Sequence, residues 1–208
     1  MKEHKGSRDL FDKVANWEDS SIPFSKTFGW TRFGLLGVLS DYVLNYTSGD
    51  IVEIGVCETS IFFTNLAYKH KRKVFHCDIQ RSVIENCKTV DGYFKHDSVV
   101  FCGSSDKFFD EVAFTPIALG FIDGDHNYEQ VKKDFWNLLP HVVKDGFIFL
   151  HDTYPKDEEW ISENKCGTVY RLRKELEERK DLDVFTFTKS AWDVGLTIVK
   201  RREVREWE

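Results

Sequence analysis

Apolar and polar positions alternate along this chain in two rhythms. Short apolar runs, each closed by glycine, acidic or other polar residues, occupy Ile51–Ile54, Val74–Asp78, Ser98–Cys102, Ala118–Asp123 and Phe147–His151. Stretches with apolar residues at helical spacing lie between several of them. Ile61, Phe62, Leu66 and Ala67 form one such stripe, and Val131, Phe135, Leu138 and Leu139 form another within Tyr128–Leu139. Ser82 and Glu85 have the spacing of a capping box and predict a short helix after the second strand. Strands alternating with helices predict a layered α/β domain with a parallel sheet.

Both ends of the chain depart from this rhythm. Towards the C-terminus the pattern predicts a helix over Val169–Arg179, with Leu172 and Leu176 inward, and then strands Asp183–Thr188 and Gly195–Val199. Their short connection makes that pair antiparallel. Ahead of the first strand, Leu10, Phe11, Val14 and Trp17 recur at helical spacing, and a loop follows around Ile22-Pro23-Phe24. Phe33, Leu36, Leu39, Val43 and Leu44 then predict a longer helix, stopped by Thr47-Ser48-Gly49-Asp50. The chain therefore reads as one domain over 1–208, with a helical extension at 1–48 and a core at 49–201.

Composition narrows the function classes. With 41% hydrophobic and 31% charged residues, a packed core under a solvated surface is expected. No apolar run is long enough to span a bilayer, and Met1-Lys2-Glu3-His4-Lys5 opens no secretory signal, so the expected location is the cytoplasm. Cys57, Cys77, Cys87, Cys102 and Cys166 have no metal-type spacing and read as free thiols in a reducing compartment. A net charge of −6 argues against a protein devoted to nucleic acid. The local exception, Lys69-His70-Lys71-Arg72-Lys73, reads as a solvated helix end whose cations suit the dipole.

In a parallel sheet ligands bind beyond the carboxyl ends of the strands. At the first strand, Glu53-Ile54-Gly55 offers a sharp turn and close backbone approach, and the following loop enters a helix N-terminus. Asp78 ends the second strand 23 positions later (78 − 55), the place of an acid that accepts from a ribose diol, or of a plain turn or cap residue. Gly103-Ser104-Ser105-Asp106 offers small donors and an acid to a purine edge, or simply a turn and a cap. The densest polar set is Asp123-Gly124-Asp125-His126 with His151-Asp152-Thr153. Neighbouring strands would bring these acids and imidazoles together, and buried acids are costly unless something satisfies them.

With these stretches in view, the chain resembles the class I S-adenosylmethionine-dependent methyltransferases from about Gly49 to Arg201. The residues carrying the likeness are Ile51-Val52-Glu53-Ile54-Gly55-Val56, Asp78, Gly103-Ser104-Ser105, Gly120 to Tyr128 and Gly146 to Thr153. The branch it looks like is that of small O-methyltransferases, including macrolide-sugar and catechol enzymes and the cephalosporin-hydroxylase-like proteins. The resemblance implies a Rossmann-like, doubly wound, mostly parallel seven-stranded sheet with an antiparallel edge hairpin. It implies S-adenosylmethionine bound by Glu53, Gly55, Val56, Asp78, Ser104, Ser105 and Asp123. It also implies a divalent metal, magnesium or manganese, on Asp123, His151 and Asp152, with His126 as base and His151 sharing the acid–base work. The acceptor would be a hydroxyl of a small molecule, with no nucleic acid and no membrane as partner; a homo-oligomer stays open.

Two departures matter. Cys57, Glu58 and Thr59 stand where the family's loop often carries further glycines. His151 stands where metal-dependent relatives carry an acid, and an imidazole leans toward a transition metal or toward no metal. Three other readings compete: a binding protein that kept the fold and lost catalysis, a nucleic-acid methyltransferase using Lys69 to Lys73, and an oxidative role for His126, His151 and Asp152. The nucleic-acid reading lacks an Asn/Asp-Pro-Pro-aromatic motif after the fourth strand. Acceptor choice would fall to the N-terminal helices, to Tyr154–Trp160 as a lid or a solvated loop, and to Trp30 and Trp192 as pocket lining or as core and rim residues.

Overall fold

The computed structural model describes residues 34–89, 94, 97–162, 164–188 and 194–202. The expectations for Leu10–Trp17, Ile22–Phe24, Trp30, Phe33 and Trp192 lie outside the described residues. The elements run α1 (Gly34–Tyr46), β1 (Asp50–Ile54), α2 (Thr59–His70), β2 (Val74–Asp78), α3 (Arg81–Thr89), β3 (Ser98–Cys102), α4 (Ser105–Glu111) and β4 (Ile117–Ile122). Then follow α5 (Tyr128–Leu138), a 3-10 turn at Leu139–His141, β5 (Val142–His151), a second 3-10 turn at Glu158–Ile161, α6 (Val169–Glu177), β6 (Leu182–Phe187) and β7 (Leu196–Arg201). The seven strands make one sheet in the order β3-β2-β1-β4-β5-β7-β6. β1 to β5 are parallel, and β7 runs antiparallel to both β5 and β6.

Strand parity builds two cores. Val52 and Ile54 of β1 and Phe75 and Cys77 of β2 face one way, onto Phe108 of α4, Phe135 and Leu138 of α5 and Leu172 of α6. Ile51, Val74, Phe121 and Phe149 face the other way, onto Val43 and Leu44 of α1 and Phe62, Phe63 and Leu66 of α2. Strands buried on both faces read as continuous apolar runs, as β1 and β4 do. Each side chain buried in full on these layers contributes roughly 1.5–3 kcal/mol of transfer free energy.

The basic run turns out to tie helices together. Lys69 and His70 both reach Asp41 of α1, at 2.6 and 2.7 Å, and Arg72 donates to the Thr47 carbonyl at 2.9 Å. α2 ends at His70, and its C-cap Lys71 takes a left-handed φ of 55°.

Two local expectations are corrected, and the reading of Ser104 as a cap is met. Asp145-Gly146, which read as a turn, lies inside β5, because a register shift between Ile117 and Leu119 lets the longer strand stay paired. Ser82 is already helical, and the chain entering α3 is held instead by Asp78 Oδ1, which accepts from Gln80 N at 2.6 Å. The Ser104 stretch opens a real helix, α4, with Ser104 as its N-cap accepting from Lys107 N. Among the described residues no helix is long and apolar enough to cross a membrane.

Candidate active site

Strand order reverses between β1 and β4, and a cavity opens above their carboxyl ends, as open α/β sheets require. Its volume is about 440 Å³, within the range of small-molecule sites. Gly55, Val56, Asp78, Ser104, Ser105 and Asp123 all line it, so six of the seven cofactor residues read from the sequence come together there. Gly55 has a φ of +93°, and a Cβ at this position would lie 2.1 Å from the Asp123 carbonyl oxygen. Asp123 N donates to Ile54 O at 2.8 Å, which draws the tips of β1 and β4 together. Asp78 Oδ2 accepts from Val56 N at 2.9 Å while Oδ1 accepts from Gln80 N. Each oxygen keeps a lone pair for a hydroxyl in the cavity.

Glu53 is the exception, and its expected place against the cofactor is corrected. Strand alternation turns it, with Ile51, towards α2, where it is fully buried. Thr59 Oγ1 donates to it at 2.5 Å, Ser60 Oγ at 2.6 Å and His76 Nδ1 at 2.6 Å, and His76 Nε2 in turn meets Thr64 Oγ1 at 3.2 Å. Glu53 therefore stands behind the loop and clamps its far end. Thr59, one of the residues in the place of loop glycines, spends its hydroxyl on this clamp. Cys57 points the other way, 3.9 Å from Asp123 Oδ2, and burial pushes its thiol well above the usual range.

β4 and β5 are adjacent, so the second polar set does converge. His126 Nδ1 donates to the Lys165 carbonyl, which aims Nε2 at Asp152 Oδ2, 3.0 Å away, and at Asp123 Oδ1, 3.8 Å away. His151 Nδ1 lies 3.0 Å from Asp123 Oδ1 and 3.4 Å from Asp152 Oδ1. Asp152 holds a left-handed φ of 58°, an uncommon conformation for a non-glycine residue that recurs at functional sites. Gly167, also at positive φ, packs against the His126 backbone, where a Cβ would lie 2.2 Å from the His126 carbonyl oxygen.

The charges settle each other. Hydrogen bonds to the Asp123 and Asp152 carboxylates raise His126 to about 10 against the cost of burial. Burial opposes charge on His151, yet the Asp123 carboxylate lifts it well above its ordinary value. Burial also works against Asp123 and Asp152, but the two imidazoles hold both acids below the usual carboxylate range. The two carboxylates thus favour the charged ring of His126, whereas the sequence read it as a ready base.

Asp123, His126 and Asp152 each offer a ligand atom, and these atoms lie within 4.8 Å of one another. The expected set had His151 in the place of His126, and His151 Nδ1 also lies within 3.4 Å of both acids. Two carboxylates and an imidazole suit a divalent cation, and the Lys165 carbonyl fixes the ring as an outer partner does in metal sites.

Sequence reasoning passed over Lys165, Gln130 and Asp134. Nothing local marks Lys165, because its contribution is a backbone carbonyl 39 positions from His126. Asp134 did leave a signal: it shares the buried helical face of Val131, Phe135 and Leu138. Burial raises its carboxyl above the ordinary range, against hydrogen bonds from Ser105 and Gln130.

This geometry has relatives. The family described as methyltransferase domain matches residues 52–153. None of the curated proteins is significantly similar in sequence. Among solved structures, the O-methyltransferase TomG from Streptomyces achromogenes, in complex with S-adenosylmethionine, superposes with a TM-score of 0.64 at 16% identity, covering 94% of this chain and 90% of that one. The S-adenosylhomocysteine-bound methyltransferase PaMTH1 from Podospora anserina gives 0.61 at 13% identity, covering 98% of both chains. The O-methyltransferase NovP gives 0.58 at 17%, covering 85% of this chain and 81% of the other. At these identities the likeness is one of fold. Residues 52–153, which hold the strand tips and most of both polar sets, match the methyltransferase-domain family.

Proposed function

We propose that the protein transfers a methyl group from S-adenosylmethionine to a hydroxyl of a small molecule. The observation that carries this reading is the double role of Asp123, which lines the cavity and also stands in the acid–imidazole cluster. A donor held by Asp78 would thus present its reactive end where a proton can be handled. The neighbours' printed ligands, S-adenosylmethionine in TomG and S-adenosylhomocysteine in PaMTH1, support the choice of cofactor.

Methyl transfer from a sulfonium is an in-line displacement whose leaving group comes with the cofactor. The protein must hold oxygen, carbon and sulfur in line, and such positioning contributes roughly 7–11 kcal/mol in favourable cases. Asp78 would anchor the ribose, and the Gly55–Val56 backbone would close on the chain next to it. In the metal-free site the acceptor's proton would pass to His126 Nε2 once that nitrogen has released its own proton to solvent, since Nδ1–H stays on the Lys165 carbonyl. His151 holds Asp123 in place through its Nδ1.

In the alternative arrangement Asp123, His126 and Asp152 would hold a divalent cation, with His126 Nε2 a ligand and no longer the base. Such an ion supplies charge that lowers the hydroxyl pKa and fixes the oxygen. An imidazole among the donors suits manganese or another transition ion better than magnesium.

Calorimetry with S-adenosylhomocysteine tests the reading. Binding that is lost in Asp78→Ala supports it, and an absence of heat in the unaltered protein means that the fold has been kept for another purpose.

A further inference from the structure

The segment between the second 3-10 turn and α6 meets the acid–imidazole cluster with four consecutive residues. The Lys165 carbonyl accepts from His126 Nδ1. Cys166, 1% exposed, faces Asp152. Gly167 lies against the His126 backbone, and Thr168 N donates to His126 O at 2.8 Å. The segment also closes on itself. Lys165 N and Gly167 N donate to Ser162 O at 2.9 and 3.1 Å, and Cys166 N donates to Trp160 O at 3.0 Å. Its outer side is held by one ring and two cations. Lys156 Nζ stands 4.5 Å and Lys165 Nζ 5.1 Å from the centre of the Trp160 ring, and Lys165 Nζ donates to Glu159 Oε1 at 2.9 Å. Lys165 is thus fastened at both ends, by its ammonium to Trp160 and Glu159 and by its carbonyl to His126. Each outer contact is modest at a partly exposed site, but both act on one residue. The hydrogen bond on one nitrogen of an imidazole decides what the other can do.

We propose that Trp160 and the Lys165 side chain are positioning residues for methyl transfer: ring and ammonium hold the Lys165 carbonyl on His126 Nδ1 and so keep Nε2 turned toward Asp123 and Asp152. This rests on the methyl-transfer reading of the cluster. Neither side chain touches a reacting atom, and both act through His126. The loop after β5 is on this account a fixed strap across the cluster, with Trp160 as its outer anchor.

The test is proton NMR of the purified, metal-free protein at one fixed pH. The unaltered protein is expected to show a downfield, slowly exchanging Nδ1–H signal that is missing in His126→Gln. Lys165→Met keeps the carbonyl and the apolar stem but removes the ammonium. It is expected to speed exchange of that proton about tenfold while the urea midpoint stays unchanged. Trp160→Ala should do the same. Lys165→Arg and Trp160→Phe, which keep a cation and a ring, should stay within about threefold of the unaltered protein. Absence of the signal from the unaltered protein, or unchanged exchange in either Lys165→Met or Trp160→Ala, would overturn the proposal. So would faster exchange matched by an equal loss of global stability, or a failure of the conservative variants to restore slow exchange. If Trp160→Ala does not fold, Lys165→Met and Lys165→Arg decide alone. Calorimetry of the unaltered protein with S-adenosylhomocysteine is read separately: an absence of binding defeats the role in methyl transfer even where the proton exchanges as expected.

Discussion

His126 Nε2 and Asp152 Oδ2 stand 3.0 Å apart, with the other ring nitrogen of His126 committed to the Lys165 carbonyl. The pair makes metal-free stability depend on pH. His126 is raised to about 10 in the folded protein, against about 6.5 for a free imidazole. A raised pKa stabilises in full below the unfolded value, and the contribution is lost as pH rises through the folded value. Urea denaturation in the presence of a chelator should therefore show stability falling between about pH 6.5 and 10. His126→Gln should flatten that slope, and an equal slope in the variant would mean that other groups set it.

Turnover should depend on His126 more than binding does. His126→Ala is expected to lower kcat about 100-fold or more while S-adenosylhomocysteine affinity stays within about threefold. Calorimetry alongside single-turnover kinetics separates the two quantities. A parallel loss of both would place His126 in the binding machinery instead.

Asp78 should behave in the opposite way. Its carboxylate lines the cavity, tied to Val56 N and Gln80 N. Asp78→Ala is expected to weaken S-adenosylhomocysteine by about 10- to 100-fold, the loss typical of hydrogen bonds to a charged group. An unchanged titration would remove its role.

The acid–imidazole trio should respond to divalent ions. Manganese is expected to raise the melting temperature more than magnesium, and Asp152→Asn to abolish most of the shift. No shift with either ion, together with activity that survives a chelator, would leave the trio as an ion-pair network alone.

Glu53 should matter for stability first. Glu53→Ala strands His76, Thr59 and Ser60 without their shared acceptor in a buried layer. Breaking such a buried network costs roughly 3–5 kcal/mol, measurable by chemical denaturation. A loss below about 1 kcal/mol would show that the clamp is dispensable.

Much of this arrangement was legible because open parallel sheets put chemistry at strand tips. Asp78, Asp123 and Asp152 follow apolar runs, so the sequence shows them at the site without any tertiary information. Glu53 follows the same run but one position out of phase, and period-two alternation turned it away from the cavity. Attention to the parity of Ile51 and Glu53 would have found this. Asp134 was hidden by the opposite rule: it sits mid-helix, where an acid on an apolar face reads as a flaw in the pattern. Lys165 could not be found, since a carbonyl carries no side-chain signature. The partnership of His126 with the two acids needed actual distances, because sequence order alone made His151 the equal candidate.

The absent side chain at Gly55 has a wider reach. The Asp123 carbonyl occupies the space that any larger residue would claim, and Asp123 belongs both to the cavity wall and to the acid–imidazole cluster, so the two are joined through its backbone. Redesigning either half for a new cofactor or a new acceptor will therefore disturb the other. An engineer should treat the two as one part and vary the rim of the cavity before this shared residue.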